Sequence, residues 1–310
     1  MTVEATSSAQ PLKTAVLFLV FNRPDTTARV FNEIRKARPP RLYVAADGPR
    51  ADRAGEIGLV ESVRMIATDV DWPCEVRTLY RKDNLGCKLA VSGAITWFFE
   101  QEEEGIILED DTLPSPSFFW FCQELLERYR DDERIFIISG YNKQNQWNAD
   151  ESDYFFSYFG GIWGWASWRR AWKYYDIDMT DLERNASKGF FEHYLGKKLG
   201  GIRKKQLLSA KINNINGKMN TWDYPWAYSR HLHGGIACVP AVSLVTNIGF
   251  SERATHTKGK NLDKVYRNEI RFPVRFNDNI VADKSYDLLF ISRPGIVCRV
   301  LKWINSLVKL

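Results

Sequence analysis

Three adjacent carboxylates, Glu109, Asp110 and Asp111, directly follow the apolar stretch 105–108. A glycine followed by three apolar residues predicts a short buried strand, so the acids lie where this strand ends. Such a cluster repels itself unless a cation or hydrogen-bond donors compensate. Hard oxygen ligands of this kind suit Mg²⁺ or Mn²⁺ shared with the phosphates of a substrate. The alternative is an acidic turn that starts a helix near Ser117.

A fourth carboxylate, Asp223, lies among aromatic residues in the stretch 220–226. Partial burial there would raise the pKa of Asp223, which suits a general base, and a helix cap is the alternative. His256 is one of four histidines and lies in the polar stretch 251–257. A lone loop histidine is usually a surface residue, but beside a metal and a diphosphate it becomes a candidate ligand.

Apolar stretches and helical patterns alternate along residues 14–139 and must position these acids. Continuous apolar stretches predict strands that are buried on both faces, and the stretches between them have helical spacing. Because the links are short, the pattern predicts a mostly parallel sheet in a three-layer α/β/α sandwich. The predicted strands are 14–21, 41–46, 75–79, 105–108 and 134–139, and the predicted helices end near residues 37, 68, 100 and 130.

Polar residues or glycines follow the first four predicted strands. Ligands of an open parallel sheet sit outside the carboxyl ends of its strands, which is where these residues fall. Each alone is most simply a turn or cap residue, whereas together they are what a nucleotide site needs. The sequence has neither a dinucleotide fingerprint nor a P-loop, so a metal and side chains must meet any phosphate charge. Besides the acids, these residues are Asn22, Arg23, Asp47, Gly48, Arg81, Lys82 and Gly86.

The composition limits the class of protein. With 310 residues, of which 45% are hydrophobic and 26% charged, the chain has the composition of a soluble globular enzyme. A net charge of +5 is compatible with an anionic substrate or an anionic membrane surface. No block of interleaved basic and aromatic residues indicates nucleic acid as a partner. Five scattered cysteines without a CxxC pair favour reduced thiols in the cytoplasm.

The two ends of the chain differ from its middle. Residues 1–13 are polar and lack the order of a signal peptide, so we expect a flexible leader. No apolar run reaches about 18 residues, which predicts no transmembrane helix. Residues 258–310 indicate a polar linker followed by an amphipathic tail, because 294–310 has apolar residues at helical spacing. This tail either packs on the domain or lies in a membrane interface.

Taken together, the motifs resemble those of GT-A glycosyltransferases, in particular the N-acetylglucosaminyltransferase I type and bacterial nucleotide-diphospho-sugar transferases that are family 2-like. The resemblance covers most of residues 14–257, which implies a nucleotide-sugar-binding half at 14–140 and an acceptor half at 141–257, followed by a C-terminal helical extension. It is sharpest at 108–111 (LEDD), where EDD stands in place of the usual DxD. Further motifs that carry it are 21–23 (FNR), 47–48 (DG), 85–86 (LG), 114–119, 139–142 (SGYN), 159–165, 221–223 (TWD) and 247–256.

The resemblance also implies roles for single residues. Asp111 matches the position that binds Mn²⁺ or Mg²⁺ bridging the donor's diphosphate, and His256 lies in a loop that closes over the donor and reaches the metal. Asp223 matches the carboxylate that deprotonates the acceptor hydroxyl in an inverting transfer. The implied nucleotide-sugar contacts are Asn22, Arg23, Asp47, Gly48, Lys82, Gly86, Glu109, Asp110 and His256, and the implied acceptor contacts are Trp163, Trp165 and Trp222.

The expected function is therefore a metal-dependent, inverting glycosyltransferase. It would move a hexosyl or N-acetylhexosaminyl group from a nucleotide-sugar, by default a UDP-sugar, to a glycan, lipid-linked or protein acceptor in bacterial-type surface glycan synthesis. Its expected location is the cytoplasm, with peripheral attachment to the inner membrane face. A sugar nucleotidyltransferase is one alternative, but it usually needs a Gly-rich basic loop after the first strand, and residues 20–24 differ. A non-catalytic sugar-binding or assembly subunit is another, which predicts the loss of one acid.

Overall fold

The computed structural model describes residues 11–147, 152–249 and 268–292. Within these ranges strands and helices alternate up to residue 109, and the order then becomes mixed. The strands are β1 (Val16–Val20), β2 (Arg41–Ala46), β3 (Glu75–Tyr80), β4 (Glu104–Glu109), β5 (Thr112–Pro114), β6 (Ile135–Ser139), β7 (Tyr154–Ser157), β8 (Trp165–Trp168), β9 (Ile236–Pro240) and β10 (Val245–Asn247). The helices are α1 (Pro24–Ala37), α2 (Glu56–Ala67), α3 (Gly86–Gln101), α4 (Ser117–Arg128), α5 (Arg169–Trp172), α6 (Leu182–Ser187), α7 (Phe190–Leu195), α8 (Lys197–Ile215), α9 (Asp223–Leu232) and α10 (Lys284–Ile291).

Eight of these strands form one sheet in the order β3-β2-β1-β4-β8-β6-β9-β7. β1 pairs in parallel with β2 and β4, β2 pairs in parallel with β3, and β6 pairs in parallel with β9. β8 is antiparallel to both β4 and β6, and β7 is antiparallel to β9. The predicted mostly parallel sheet is confirmed, and β7 and β8 are antiparallel insertions that the sequence did not predict.

Alternate residues of β1 face opposite sides of the sheet, and each side has its own hydrophobic core. Val16, Phe18 and Val20 belong to the core that includes residues of α1, α2 and α4. Leu17 and Leu19 belong to the core that includes residues of α3, α5, α9 and α10. Cover on both faces explains why these strands are continuous apolar stretches in the sequence. The three-layer α/β/α sandwich is confirmed.

A smaller helical layer, α6 to α8, lies next to α9. Phe191 of α7, Leu207 of α8 and Tyr228 of α9 share one buried cluster. On its other side α9 contributes Trp226 to the core of the sheet. Helix α9 is therefore held between the sheet and the helical layer, and this fixes the position of its first residue, Asp223.

The segment 268–292 packs against the sheet, which corrects its interpretation as part of a linker. Ile270 and Val274 are buried in the core on the α1 side, and Tyr286 of α10 is buried in the core on the α3 side. Asp283 caps α10, because its Oδ1 accepts hydrogen bonds from the backbone N–H groups of residues 285 and 286 at 2.9 Å. Apolar residues alternate along 270–276 and are continuous along 288–291, so the sequence did carry a packing signal that the interpretation as a polar linker overlooked.

The remaining parts of both chain ends lie outside the described residues. These are residues 1–10 of the predicted leader and 293–310 of the predicted tail. Among the described residues, no helix is both long enough and apolar enough to cross a membrane.

Candidate active site

The three acids lie in a tight turn that connects β4 to β5. The backbone N–H of Glu109 donates to Thr112 Oγ1 at 2.9 Å, and the same hydroxyl donates to the Glu109 carbonyl at 3.0 Å. Antiparallel pairing between β5 and β10 holds the far end of the turn. Asp110 is only 3% exposed, whereas Asp111 retains more exposure. The turn thus presents three carboxylates at the carboxyl end of a central strand, as the sequence predicts.

Among the described residues, Arg23 is the cation that pairs with these acids. Its Nη1 donates to Asp111 Oδ2 at 2.9 Å, and its Nη2 donates to Asp110 Oδ1. Asp110 also accepts a hydrogen bond from the backbone N–H of Phe21 at 3.3 Å. Arg23 immediately precedes α1, after β1, and β1 pairs with β4. Neighbouring parallel strands therefore bring the arginine and the acids together.

The electrostatics of the cluster follow from burial and from like charges. Burial raises the pKa of Glu109, and the charges of Asp111 and Asp110 raise it further. Burial also raises the pKa of Asp110, although the charge of Arg23 opposes this shift. Burial would lower the pKa of Arg23, but the two aspartates outweigh this effect and the pKa is raised. Three carboxylates with one guanidinium leave excess negative charge, which a divalent cation would balance.

The donor set around Asp111 fits a metal that is shared with a substrate. Among the described residues, no group of three or more His, Cys, Asp or Glu side chains could hold a metal ion alone. The Asp111 side chain is 14% exposed, and Arg23 binds only its Oδ2. Mg²⁺ is typically held by one or two carboxylates, with phosphate and water oxygens completing its shell, so the residues fit such an ion.

Residues 247–249 pass directly over the acid turn. The backbone N–H of Ile248 donates to the Asp111 carbonyl at 2.7 Å. A Cβ at Gly249 would lie 2.2 Å from Asp111 Oδ2 and 2.6 Å from Arg23 Nη1, so a side chain here would displace the ion pair. His256 follows in the part of the chain that the structure does not describe, and its contact with metal and donor remains a prediction.

A cavity of about 350 Å³ opens where β1, β2 and β4 end, and we call it the strand-end cavity. Asp47, after β2, caps the start of α3, because its carboxylate accepts hydrogen bonds from the N–H groups of Leu85 and Gly86 at 3.0 Å. Gly86 has a φ of +77°, which a side chain would strain. The polar lining of the cavity consists of Arg23, Asp47, Arg50, Arg81, Asn84, Glu109, Asp110 and Asn220.

Asn22 supports this cavity from behind. Its Nδ2 donates to Glu56 Oε1 at 2.8 Å. Glu56 also forms an ion pair with Arg50, whose side chain lines the cavity. The hydrogen bonds from Arg50 lower the pKa of Glu56 to about 2, so this pair stays ionised at neutral pH. Asn22 is not among the residues that line the cavity, and its contact with a nucleotide stays a prediction.

Gly48 and the residues after β3 form the rim of the strand-end cavity. A Cβ at Gly48 would lie 2.4 Å from the carbonyl carbon of Asp83, so glycine allows two loops to touch. The side chain of Lys82 is exposed and does not line the cavity, whereas Arg81 does. The structure therefore places Arg81, and not the predicted Lys82, at the cavity, because the chain bends directly after β3 and turns the side chain of Lys82 to the surface.

A second cavity, of about 660 Å³, lies at the start of α9, and we call it the α9 cavity. Asp223 lines it, and Asp223 Oδ1 accepts a hydrogen bond from Thr221 Oγ1. Asn220 lines the strand-end cavity, so a short step along the chain connects the two. The charge of Asp223 also adds to burial and to the two aspartates in raising the pKa of Glu109. The predicted base and the acid cluster are thus brought into one region.

The three tryptophans predicted as acceptor contacts take different places. Trp163 lines the α9 cavity, and its ring centroid lies 4.4 Å from that of Tyr141. Trp165 and Trp222 are 0% and 2% exposed and stack on each other at 5.7 Å. This corrects their expected role, because neither side chain lines the cavity. Both belong to the hydrophobic core on the α3 side of the sheet.

Sequence reasoning missed the basic residues of the α9 cavity, Arg203 and Arg230. Both lie in helical patterns, where a basic residue is most simply part of a solvated face. The available signal was that Arg230 closely follows the stretch 222–228, which is rich in aromatic residues. A basic residue on that buried side of a helix requires an explanation.

No protein-family model and no curated protein matches the sequence. Among solved structures, a mannosyltransferase from Pyrobaculum calidifontis in complex with GDP-Man and Mn²⁺ is similar with a TM-score of 0.39 and 11% identity, over 73% of this chain and 70% of that chain. A UDP-glucose pyrophosphorylase complexed with UDP-glucose has a TM-score of 0.27 and 12% identity, over 47% and 62%. HddC from Yersinia pseudotuberculosis has a TM-score of 0.28 and 13% identity, over 41% and 57%. At these TM-scores the likenesses are distant and do not identify a reaction.

Proposed function

We propose that this protein is a metal-dependent glycosyltransferase that moves a sugar from a nucleotide-diphosphate-sugar to a hydroxyl group of an acceptor. The observation that carries the proposal is the pair of neighbouring cavities, one beside the acid cluster with Arg23 and one beside Asp223. The cluster offers a place for a metal and a diphosphate, and Asp223 offers a base. The resemblance to GT-A motifs supports the same reaction and the inverting outcome.

In this proposal the nucleotide-sugar, by default a UDP-sugar, occupies the strand-end cavity. Ala45, Ala90 and Val91 give the cavity an apolar wall for a base. Arg81 and Asn84 supply hydrogen-bond donors on its polar side. The carboxylate of Asp47 is already bound by backbone N–H groups, so it acts by holding α3 in place and not through free lone pairs.

Mn²⁺ or Mg²⁺ at Asp111 would supply Lewis-acid stabilisation of the negative charge that develops on the departing diphosphate. Arg23 holds Asp110 and Asp111 in fixed positions through charge-assisted hydrogen bonds. Gly249 lets the chain approach this pair closely. These residues therefore pre-organise the leaving-group side of the site before substrate arrives.

Asp223 acts as the general base in the proposed transfer. The acceptor hydroxyl oxygen forms a bond to the anomeric carbon, and the bond from that carbon to the phosphate oxygen breaks, with its electron pair remaining on the diphosphate. The hydroxyl proton passes to the Asp223 carboxylate. Thr221 binds Oδ1 of this carboxylate and leaves Oδ2 for the acceptor. Attack opposite the leaving group inverts the anomeric configuration.

The proposed acceptor is a glycan, a lipid-linked sugar or a protein in bacterial-type surface glycan synthesis. It would enter the α9 cavity, where Phe159 and Trp163 offer aromatic surface to a sugar ring. The net charge of +5 supports work near an anionic membrane. Attachment through 294–310 and a cytoplasmic location belong to this proposal.

The test compares two sets of substrates in the presence of Mn²⁺: UDP- and GDP-sugars, and nucleoside triphosphates with sugar 1-phosphates. We expect slow release of nucleoside diphosphate from one donor even without an acceptor, because water can replace the acceptor hydroxyl. This release should fall in Asp111→Asn and persist in Asp178→Asn, a control whose side chain is 77% exposed. Pyrophosphate release would identify a sugar nucleotidyltransferase, and release from no donor would favour a non-catalytic subunit.

A further inference from the structure

Arg230 is a buried charge without a described partner. The residue is 2% exposed, and its Nε and Nη1 are buried with no hydrogen-bond acceptor among the described residues. Arg170, which is only half-buried, shows the usual solution: it donates to three backbone carbonyls at 2.7, 2.8 and 3.0 Å. Since an unpaired buried guanidinium is costly, Arg230 is not explained as a fold-stabilising contact.

The side chain of Arg230 lines the α9 cavity together with Arg203. Its Nη1 lies next to Gly160, another lining residue, because a Cβ there would be 3.5 Å from this nitrogen. Arg203 Nε donates to Nε2 of His231 at 3.1 Å. Burial lowers the pKa of His231 far below its usual value, so this partner is neutral and balances no charge.

The charges around the α9 cavity are unequal. Asp223 is the single carboxylate among its described lining residues, against the two arginines Arg203 and Arg230. Burial, together with the charge of Arg203, lowers the pKa of Arg230 to about 9. Burial likewise lowers the pKa of Arg203 to about 10. Both arginines remain charged at neutral pH, so a bound anion would supply a counter-charge for each.

A buried carboxylate outside the lining, Asp287, compensates Arg230 only in part: its charge raises the pKa of Arg230, but burial outweighs this effect. Asp287 accepts hydrogen bonds from Ser157 Oγ and from the backbone N–H of Tyr158. Burial raises the pKa of Asp287 to about 7, so it is protonated for part of the time at neutral pH. No hydrogen bond joins Asp287 to Arg230 within the described chain.

We propose that the α9 cavity binds an anionic group of the acceptor, a phosphate or a carboxylate, on Arg230 with help from Arg203. This deepens the proposed function, on which it rests, because it restricts the acceptor to charged glycans or phosphate-bearing carriers. A guanidinium fork matches the oxygen pairs of both anions. The strand-end and α9 cavities share no lining residue, so the anion is distinct from the donor's diphosphate.

The test uses calorimetric titration of glucose 6-phosphate, glucuronate and neutral glucose, without divalent metal, into the full chain. The variants are Arg230→Gln, Arg203→Gln and the control Lys205→Gln, an exposed position on α8. We expect the wild type and the control to bind one anionic sugar roughly tenfold more tightly than glucose. Arg230→Gln should remove this preference and Arg203→Gln should reduce it.

The two anionic probes separate the two sources of the anion. Preference for glucose 6-phosphate indicates a phosphate-bearing acceptor, and preference for glucuronate indicates an acidic sugar. Equal binding of all three sugars by the wild type, or a preference that survives in Arg230→Gln, overturns the proposal. If Arg230→Gln does not fold, as judged by circular dichroism, the wild-type comparison and Arg203→Gln decide.

A parallel titration of UDP and GDP with Mn²⁺ separates this proposal from the proposed function. Arg230→Gln should bind nucleotide as the wild type does, since Arg230 lies outside the strand-end cavity. Anion preference without nucleotide binding would leave the anion site standing and contradict the transferase. Nucleotide binding without anion preference would support the transferase and contradict the anion site.

Discussion

Arg23 connects two strand ends through its two terminal nitrogens. It lies after β1, and it binds Asp110 and Asp111 after β4, with its own side chain 21% exposed. Glu109 adds a third carboxylate that Arg23 does not bind directly, and burial with two like charges raises its pKa. The site is therefore built with more negative charge than its arginine can balance. Removing that arginine should be costly for the fold as well as for the function.

We predict that Arg23→Gln lowers the free energy of unfolding by about 2–3 kcal/mol at neutral pH, because it leaves buried carboxylates without a counter-charge. Urea unfolding of the purified variant measures this change. Arg53→Gln is the matched control, since Arg53 is 62% exposed and lies 3.9 Å from Asp52. The control should change the stability by less than about 0.5 kcal/mol. Equal stabilities for the two variants would contradict the account of the acid turn.

We predict that Asp223→Asn lowers the rate of sugar transfer by about 10²–10⁴-fold, because the amide cannot accept the proton of the acceptor hydroxyl. Binding of nucleotide with Mn²⁺ should change little, since Asp223 lines the α9 cavity and not the strand-end cavity. Transfer kinetics and calorimetry on the same preparation measure the two effects. A variant that keeps its transfer rate would remove Asp223 from the catalytic role.

At the scale of elements, the sequence was most informative where strands and helices alternate with short links. The predicted ends of β1, β2, β3 and β4 agree with the structure to within a few residues. Strands that are buried between two layers of helices are continuously apolar, so the sequence shows them clearly. Short connections between parallel strands place their carboxyl ends at the same edge of the sheet. The polar residues after β1, β2 and β4 therefore converge as predicted, although Lys82 gives way to its neighbour Arg81.

The second half was less predictable because its signals are not periodic. β7 and β8 have four residues each, and both are buried along their whole length, so no alternation marks them. Trp165 of β8 was therefore predicted to contact the acceptor, although it lies in the core. The same prediction was made for Trp222, which precedes α9 and is also buried. The segment 268–292 has apolar residues at alternate positions along 270–276, but the sequence alone does not show which face of the sheet they contact. Long-range contacts determine these elements, and a single sequence does not show them.

We predict that Gly48→Ala lowers the free energy of unfolding by about 2 kcal/mol or more, because a Cβ at Gly48 would lie 2.4 Å from backbone atoms of Asp83. Gly58→Ala is the matched control. A Cβ there meets nothing within 4 Å, and alanine favours α2, so a gain of about 0.5–1 kcal/mol is expected. Denaturant unfolding compares them. A stable Gly48→Ala variant would show that the loops need not touch.

We predict that Asp287→Asn flattens the pH dependence of stability. The folded-state pKa of about 7 lies above the unfolded value, so the folded state holds an extra proton in between and loses stability as pH rises from about 4 to about 7. The shift corresponds to a loss on the order of 2–4 kcal/mol. Urea unfolding across this pH range should show a smaller loss of unfolding free energy for the variant than for the wild type. At the upper end of the range the variant should be more stable than the wild type.

Asp278→Asn is the control for this measurement, because the Asp278 side chain is 88% exposed. It should follow the wild-type pH profile. If Asp287→Asn follows that profile as well, then the pKa of Asp287 does not differ between the folded and the unfolded state. The packing described for α10 would then be wrong.

At the scale of the whole molecule, one sheet serves two cavities that differ in charge. The strand-end cavity lies at the carboxyl ends of parallel strands and contains the acid cluster. The α9 cavity lies between the antiparallel insertion, the helical layer and α10, and it contains Arg203 and the buried Arg230. Asn220 and Asp223 stand between them on one short stretch of chain. This division fits a reaction with two substrates that meet at one carboxylate.

In the proposed function the strand-end cavity binds a nucleotide through a metal at Asp111. Calorimetric titration of UDP, GDP and their sugars, with and without Mn²⁺, into the wild type and Asp111→Asn tests it most directly. We predict metal-dependent binding of one nucleotide in the micromolar range, lost in Asp111→Asn and retained in the exposed control Asp178→Asn. Absence of nucleotide binding under every metal condition, or equal binding by Asp111→Asn, would contradict the claim.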